Sequence, residues 1–391
     1  MREPVSLRAC DARSTDEEVA QAIFRAADDV GGVADIFAGK RKVMIKPNIG
    51  TNDVRLHLGR QVALTDPSVL RATVRLIRQH FDGEIVVGEA TTGHRCQDVY
   101  ARVGHDLDDL GVRVVDLKDG PFVELPLPTG LMFNRYVVAR ELAESDVVVS
   151  VAKMKSHLSA GATLCLKNLF GMTPTHRYGS PRNYLHAPVR LPRVLADVAQ
   201  LFPPSLCVVD GLVGQTGREW HGEPVETGLV MVGRNVVATD ATAMRLMGMD
   251  PELDYGAFPY HFDRNPIVLA AEAGLGSPAA DDVDVRGDVP IATRQQFTVD
   301  RAPTDEFVRI RRSLALEVER FQSKRDALVA EHRGRFVAMA DGELLGVADT
   351  VGGLGNRDEL LRKYGRGQGI LLKQVLPLEE EDERLDVYQT A

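Results

Sequence analysis

Hydrophobic and polar positions follow two different periods along the first 290 residues. Short apolar runs typical of buried strands lie at 42–46, 85–87, 112–115, 147–151, 206–209 and 229–232. Apolar residues at three- and four-residue steps, typical of amphipathic helices, lie at 67–77, 97–110 and 238–247. Strands that alternate with helices predict an α/β fold with mostly parallel sheets and flanking helices. We expect the strands at 206–209 and 229–232 to be parallel members of such a sheet.

The pattern changes at about residue 300. Residues 301–332 are charged, with apolar residues spaced three or four apart, and this spacing predicts one long amphipathic helix. The chain is therefore predicted to consist of an α/β core over 1–300, this helix, and a small module over 333–391. The core is predicted to have two lobes that meet near 120–145.

The last segment has the pattern of a small α+β module. Two apolar runs, 336–340 and 344–348, flank Asp341-Gly342, a dipeptide that favours a tight hairpin turn. A helix near 357–364 and a strand at 370–375 complete a β-β-α-β unit. The acidic stretch Glu379–Glu383 is predicted to be a solvated tail.

Composition excludes several classes of function. The 56 acidic and 47 basic side chains give a net charge of -9, which disfavours nucleic acid and anionic membranes as partners. No apolar run approaches the ~20 residues of a membrane span, and no signal-peptide pattern is present, so we expect a cytoplasmic protein. The four cysteines are widely separated, which predicts neither an iron–sulfur cluster nor a thiolate zinc site. The oligomeric state is left open.

Polar residues follow two of the predicted strands, where ligands collect in parallel sheets. Lys46 and Asn48 come directly after the strand at 42–46 and could anchor an anion, although a strand ended by Pro47 fits equally well. His94 and Arg95 lie in the loop after the strand at 85–87. Imidazole titrates near neutrality and guanidinium binds carboxylates in a bidentate manner, although a structural loop histidine is the simpler interpretation.

The densest group of candidate residues follows the strand at 147–151. Lys153, Lys155 and His157 come first, and Lys167-Asn168 follows ten positions after the histidine. Two lysines and a histidine in this position could bind a carboxylate or phosphate and supply a proton. Asp210, after the strand at 206–209, is a further candidate ligand, although Asp-Gly is also a common turn.

Several of these motifs, in order, resemble the bacterial and archaeal family called domain of unknown function 362. The resemblance covers about residues 40–280 and rests on Lys46-Pro47-Asn48, the stretch 145–157, the run 166–171 and Asp210-Gly211. It implies a fold and a site more than a reaction. Many relatives carry a ferredoxin-like cysteine cluster, which is missing here. The stretch from Gly334 to Gly342 is similar to the module called domain of unknown function 5678.

A more distant resemblance is to lactate racemase, a nickel-pincer enzyme with a two-lobed core. Its Thr-His-Arg loop resembles Gly93-His94-Arg95, and its histidine ten positions before a cofactor-tethering lysine resembles His157 and Lys167. The resemblance implies that His94 and His157 are opposed acid/base groups and that Lys167 contacts cofactor or substrate. A nickel-type cofactor would follow, with His186 as a metal ligand. The racemase's Gly-Gly-Arg-Lys run is replaced here by Leu164-Cys165-Leu166-Lys167.

Two hypotheses about function remain open. The first is an enzyme of isomerase or lyase type, in which strand-end histidines and lysines perform acid/base chemistry on a small anionic substrate. In that case His94→Ala or His157→Ala would abolish turnover. The second is a non-catalytic accessory protein that holds an anion or cofactor for a redox partner. Two imidazoles after different strands exceed what anion binding requires, which favours the enzyme.

Overall fold

The computed structural model describes residues 2–291, 297–300, 304–355, 359–360, 362 and 369–389. The strands in chain order are β1 (Glu3–Ala9), β2 (Lys42–Pro47), β3 (Leu56–His57), β4 (Arg60–Gln61), β5 (Glu84–Glu89), β6 (Val112–Asp116), β7 (Phe122–Pro126), β8 (Arg135–Ala139), β9 (Val147–His157), β10 (Gly161–Thr163), β11 (Leu206–Thr216), β12 (Glu223–Val225), β13 (Leu229–Gly233), β14 (Val283–Gly287), β15 (Phe336–Ala340), β16 (Glu343–Ala348) and β17 (Leu371–Gln374). The α-helices are α1 (Asp16–Asp29), α2 (Ala34–Phe37), α3 (Pro67–Arg78), α4 (Cys96–Val103), α5 (Arg140–Ala143), α6 (Cys165–Asn168), α7 (Thr175–Tyr178), α8 (Arg190–Leu201), α9 (Val236–Leu246), α10 (Pro266–Glu272), α11 (Thr304–Ser323) and α12 (Arg325–His332).

One large sheet runs through the first 290 residues in the order β14-β1-β13-β11-β9-β2-β5-β6. The strands β11, β9, β2, β5 and β6 run parallel to one another, and β1 is parallel to β14. This confirms the predicted α/β fold with a mostly parallel sheet. The parallel orientation expected of the strand at 229–232 is wrong, because β13 is antiparallel to both β1 and β11. The short connection from β11 to β13 partly pairs back onto β11 as β12, so it provides no crossover helix.

Helices cover both faces of this sheet, and side-chain alternation along the strands divides the core. Val43 and Ile45 of β2 pack into the cluster that contains α1 and α3. Met44, between them, belongs to the cluster that contains α8, α9 and α10. Because successive residues of a strand face opposite sides, a continuous apolar run is what a doubly covered strand requires.

Two predicted helices are shorter than the sequence pattern suggested. The helix predicted over 97–110 ends at Val103, because Gly104 adopts a left-handed conformation with φ of 89°. The single helix predicted over 301–332 is divided into α11 and α12 at Lys324. The Lys324 amine donates to the carbonyl of Gly342 at 2.7 Å, which ties this break to the hairpin of the next module.

The C-terminal module contains the predicted hairpin. β15 pairs with β16 and β17 in a three-stranded sheet, and Asp341 and Gly342 form the turn with φ of 51° and 78°. The helix predicted near 357–364 falls mostly outside the described residues. The acidic stretch is not a solvated tail, because Glu383 is buried and accepts from Arg190 Nε at 2.6 Å. Within the described ranges, no helix has the length and apolar character needed to cross a membrane.

Candidate functional site

Strand β9 carries three basic side chains toward one side of the sheet. The sequence placed Lys153, Lys155 and His157 after the strand, but β9 continues through His157. Their two-residue spacing puts them on the same face. Lys153 Nζ lies 3.0 Å from Asp210 Oδ2, and both side chains are fully buried. Lys153 and Asp210 therefore neutralise each other beneath the site.

The pairing of β9 with β11 changes immediately beyond this ion pair. Lys153 is opposite Asp210, whereas Lys155 is opposite Gln215, so a bulge in β11 separates the two positions. Lys155 Nζ donates to the carbonyl of Ala63 at 2.9 Å and lies 5.9 Å from the ring centre of Trp220. Burial lowers the pKa of Lys155 to about 8.

Lys155 faces a cavity of about 180 Å³. The charged side chains that line it are Lys46, Lys155, Lys167, Arg182, Glu89 and Glu219. The other lining residues include Asn48, Thr92, His157, Thr163, Asn168, Phe170, Pro181, His186 and Trp220. Because the four cationic side chains outnumber the two carboxylates, the cavity favours an anionic ligand.

His157 has one ring nitrogen committed to the backbone. Its Nδ1 accepts from the N–H groups of Ser159 at 3.1 Å and Ala160 at 3.2 Å, which assigns the ring proton to Nε2. Nε2 lies 3.9 Å from Glu219 Oε1. Burial, and then the charges of Lys167 and Lys155, hold the pKa of His157 well below its usual value. His157 can therefore donate a hydrogen bond from Nε2, but it has no free nitrogen that could accept a proton.

Lys167 is positioned by the start of α6. Asp240 accepts from the N–H groups of Cys165 at 2.9 Å and Leu166 at 2.8 Å, which orients the turn that carries the lysine. The Lys167 amine lies 4.5 Å from the ring centre of Phe170. Burial lowers the pKa of Lys167 to about 7, so this amine exchanges its proton near neutrality.

A buried ion pair forms the floor of the cavity. Lys46 Nζ lies 2.5 Å from Glu89 Oε2 and 3.1 Å from Asn168 Oδ1. Burial lowers the pKa of Lys46, while the Glu89 carboxylate opposes this shift. A Cβ at Gly171 would lie 2.1 Å from Glu89 Oε1, so only glycine leaves room for the pair. Asn48 also lines the cavity, and its buried Oδ1 has no hydrogen-bond partner among the described residues.

His186 lies beside His157, with 5.7 Å between the ring centres. Burial, with the charge of Lys167, lowers the pKa of His186 to about 3, so the ring is neutral. Among the residues that the structure describes, no group of three or more His, Cys, Asp or Glu side chains could hold a metal ion. The nickel-type cofactor and the role of His186 as its ligand, which the sequence resemblance implied, stay predictions.

The structure does not bring His94 and Arg95 to this cavity. Both are exposed in the loop between β5 and α4, and neither is among the lining residues. The carbonyl of His94 accepts hydrogen bonds from Thr91 Oγ1 and Lys118 Nζ. The facing pair of His94 and His157 that the sequence suggested is replaced here by His157 and His186.

The lining residues that sequence reasoning missed include Glu89, Arg182, Glu219 and Trp220. Glu89 is the last residue of β5, directly before the loop that contains His94, and this position could have identified it as a candidate. Trp220 could have been identified as the only tryptophan of the chain. Arg182 and Glu219 lie in irregular segments with no sequence signal. Arg182 is buried with φ of 64° and donates from Nε to the carbonyl of Thr173 at 2.7 Å.

The part of the chain that forms this site is similar to known proteins. The family model described as domain of unknown function 362 matches residues 43–245, a range that includes every lining residue of the cavity. The C-terminal resemblance to domain of unknown function 5678 stays a prediction. A thylakoid-associated protein of Synechocystis is 26% identical over 232 residues, which are 57% of this chain and 68% of that protein.

Two solved structures are also similar. The lactate racemase apoprotein of Thermoanaerobacterium thermosaccharolyticum has a TM-score of 0.38 and 15% identity, covering 60% of this chain and 54% of that one. A protein from Thermotoga maritima has a TM-score of 0.33 and 14% identity, covering 55% of this chain and 54% of that one. The chain thus spans about half the length of each structure.

Proposed function

The chain belongs to the family described as domain of unknown function 362, and from the chemistry of its cavity we propose that it is an enzyme. It moves a proton at a carbon next to the carboxylate or carbonyl group of a small anion, in an isomerase- or lyase-type reaction in the cytoplasm. The observation that carries the proposal is that the amines of Lys155 and Lys167 line one cavity together with His157. Burial lowers the pKa values of the two amines to about 8 and about 7, which suits proton transfer near neutrality.

The lining residues divide the work between them. Protonated Lys155 binds the anionic group, because the cavity has more cations than carboxylates. Neutral Lys167 takes the proton from the carbon and becomes an ammonium ion, and the electron pair of the C–H bond moves toward the adjacent oxygen. His157 donates its Nε2–H to that oxygen. After the Lys167 ammonium has exchanged a proton with solvent, its return of a proton to the same face of the carbon completes a hydrogen exchange, and delivery to the adjacent carbon completes an isomerisation.

Hydrogen exchange with solvent tests this role directly. The purified chain is incubated in D₂O with pyruvate, lactate or malate, and loss of carbon-bound protons is followed by proton NMR. Lys167→Met is expected to lower exchange by about 100-fold or more, since proton transfer by a side chain contributes ~10²–10⁴-fold. Lys40→Met, at an exposed lysine, is the matched control. Wild-type exchange in Lys167→Met would refute the role of Lys167.

His94 provides a second control on the assignment. The sequence predicts that His94→Ala abolishes turnover, whereas the exposed position of His94 predicts that exchange continues. Circular dichroism of each variant shows whether the fold is retained. Loss of exchange in a folded His94→Ala protein would restore the histidine to the mechanism.

One observation favours the alternative, an accessory protein that binds an anion for a redox partner. His157 is fixed as a hydrogen-bond donor, which suits static recognition as well as catalysis. Under this alternative, anions change the fluorescence of Trp220 but no carbon-bound proton exchanges. Exchange with any of the three anions would exclude it.

A further inference from the structure

A second cavity, of about 150 Å³, adjoins the first. His186 and Glu219 line both cavities, so they form the junction between them. The other walls are mostly apolar and comprise Leu158, Ala187, Pro188, Leu191, Phe262 and Phe307. Phe307 is contributed by α11, which closes this cavity from outside the large sheet.

Apart from the junction residues His186 and Glu219, the second cavity has one charged lining residue, Asp263, and that carboxylate is already paired. Asp263 accepts from Arg311 Nη1 at 2.7 Å through Oδ1 and from the N–H of Val189 at 2.5 Å through Oδ2. Ser159 is the other polar residue of the lining beyond the junction. The first cavity, in contrast, is lined by four cationic side chains. Two adjoining cavities therefore differ in chemistry, one cationic and one apolar.

We propose that the substrate is an amphipathic carboxylate, with its charged end in the first cavity and an apolar group of about six carbons in the second. This inference rests on the proposed function, because it names the substrate class of the same site. The size follows from volume, since a cavity of about 150 Å³ lined by Leu, Ile and Phe can bind benzene.

The junction sets the direction in which the substrate binds. The Glu219 carboxylate is held by the N–H of Leu158 at 3.1 Å and repels a second carboxylate. The charged end of the substrate is therefore retained beside Lys155 and Lys167. The apolar end passes His186 and displaces water from the walls formed by Leu191 and Phe307.

A chain-length series tests the proposal. Straight-chain carboxylates from acetate to decanoate are titrated into the full chain, and binding is followed by the fluorescence of Trp220, the only tryptophan. The dissociation constant is expected to fall about threefold to fourfold per added methylene, since each buried CH₂ contributes ~0.8 kcal/mol. The gain is expected to end near heptanoate, when the second cavity is filled.

Two variants locate the apolar group. Ala187→Leu fills the second cavity and is expected to abolish the chain-length dependence while leaving acetate affinity unchanged; Ala101→Leu, at an exposed helical alanine, is the control. Phe307→Ala enlarges the cavity, so the gain is expected to continue to longer chains. Retained length dependence in Ala187→Leu, with an unchanged limit in Phe307→Ala, would overturn the proposal.

The outcomes separate this inference from the proposed function. Lysine-dependent binding of all carboxylates with equal affinity would overturn the apolar subsite and leave the proposed function intact. Length dependence that persists in Lys167→Met with unchanged affinities would overturn the placement of the charged end. Absence of binding by every carboxylate would overturn both proposals.

Discussion

Two buried basic regions of this protein have opposite electrostatic environments. In the C-terminal region, Lys373 Nζ lies 2.7 Å from Glu381 and 3.3 Å from Glu383. Burial lowers the pKa of Lys373, but Tyr184 and these two carboxylates together hold it above its usual value. In the cavity, burial lowers the pKa values of Lys155 and Lys167. The number of nearby carboxylates therefore determines whether a buried amine stays charged or exchanges its proton near neutrality.

Because the two regions differ in the number of carboxylates near their basic side chains, we expect them to have different roles. Arg190 and Lys373 both form ion pairs with Glu383, and these pairs attach the segment that carries Glu383 to the core. Such a paired cluster is complete without a ligand. The cavity has cations in excess of carboxylates, so an incoming anion would complete it. Four measurements test whether the two regions differ in this way.

The largest effect is expected from Glu383→Gln. The change leaves Arg190 and Lys373 without their shared carboxylate, and removing one partner of a buried ion pair costs about 3–5 kcal/mol. The free energy of unfolding is measured by urea denaturation. Glu379→Gln, at an exposed glutamate of the same stretch, is expected to change it by less than about 0.5 kcal/mol. Equal values for the two variants would show that the cluster contributes no stability.

Lys155→Met is expected to weaken anion binding by about 10- to 100-fold. The expected loss is that of one charge-assisted hydrogen bond, worth ~1.5–3 kcal/mol. The affinity for pyruvate is measured through Trp220 fluorescence, with Lys40→Met as the exposed control. An unchanged affinity would mean that the anion binds away from Lys155.

Anion affinity is expected to fall at least about tenfold between pH 6 and pH 9. Lys155 loses its proton near pH 8 in the free protein, so above this value binding must first take up a proton. The bound anion shifts this midpoint upward, which extends the decline to higher pH. The affinity is measured at each pH by the same fluorescence titration, and Lys155→Met should lose this pH dependence. An affinity that is constant over this range would contradict the assignment.

The smallest effect is a gain in stability. At pH 6 Lys167 is charged both in the folded and in the unfolded chain, and its burial disfavours the folded state. Lys167→Met should therefore stabilise the protein at pH 6 by about 1 kcal/mol, a value reduced because the side chain is partly exposed. In the wild type, this penalty is relieved as pH rises from 7 toward 10.5, so the difference should disappear above that range. Urea denaturation at pH 6 and pH 10.5 compares the two proteins, and destabilisation at pH 6 would show that the amine has a stabilising partner.

Much of the fold and part of the site were accessible from sequence. The apolar runs identified the strands of the large sheet, and Asp341-Gly342 identified the hairpin, because these signals are local. The cavity residues Lys46, Asn48, Lys155, His157, Lys167, Asn168 and His186 were all candidates. His94 had the same residue type and a similar position after a strand, but loop geometry leaves it exposed. Periodicity carries no information about which way a loop side chain points.

The sequence is sufficient to predict the alternation of strands and helices, the chemical types of the candidate residues and the family resemblance. Which lysine charges are balanced by a carboxylate depends on the tertiary structure. Lys153 and Lys155 are the same residue type two positions apart, yet Lys153 pairs with Asp210 of β11, whereas Lys155, beyond the bulge in β11, donates to the carbonyl of Ala63. The physical reason is that burial and pairing depend on neighbours distant along the chain. For the same reason Glu219 and Arg182, in irregular segments, became part of the site only on folding.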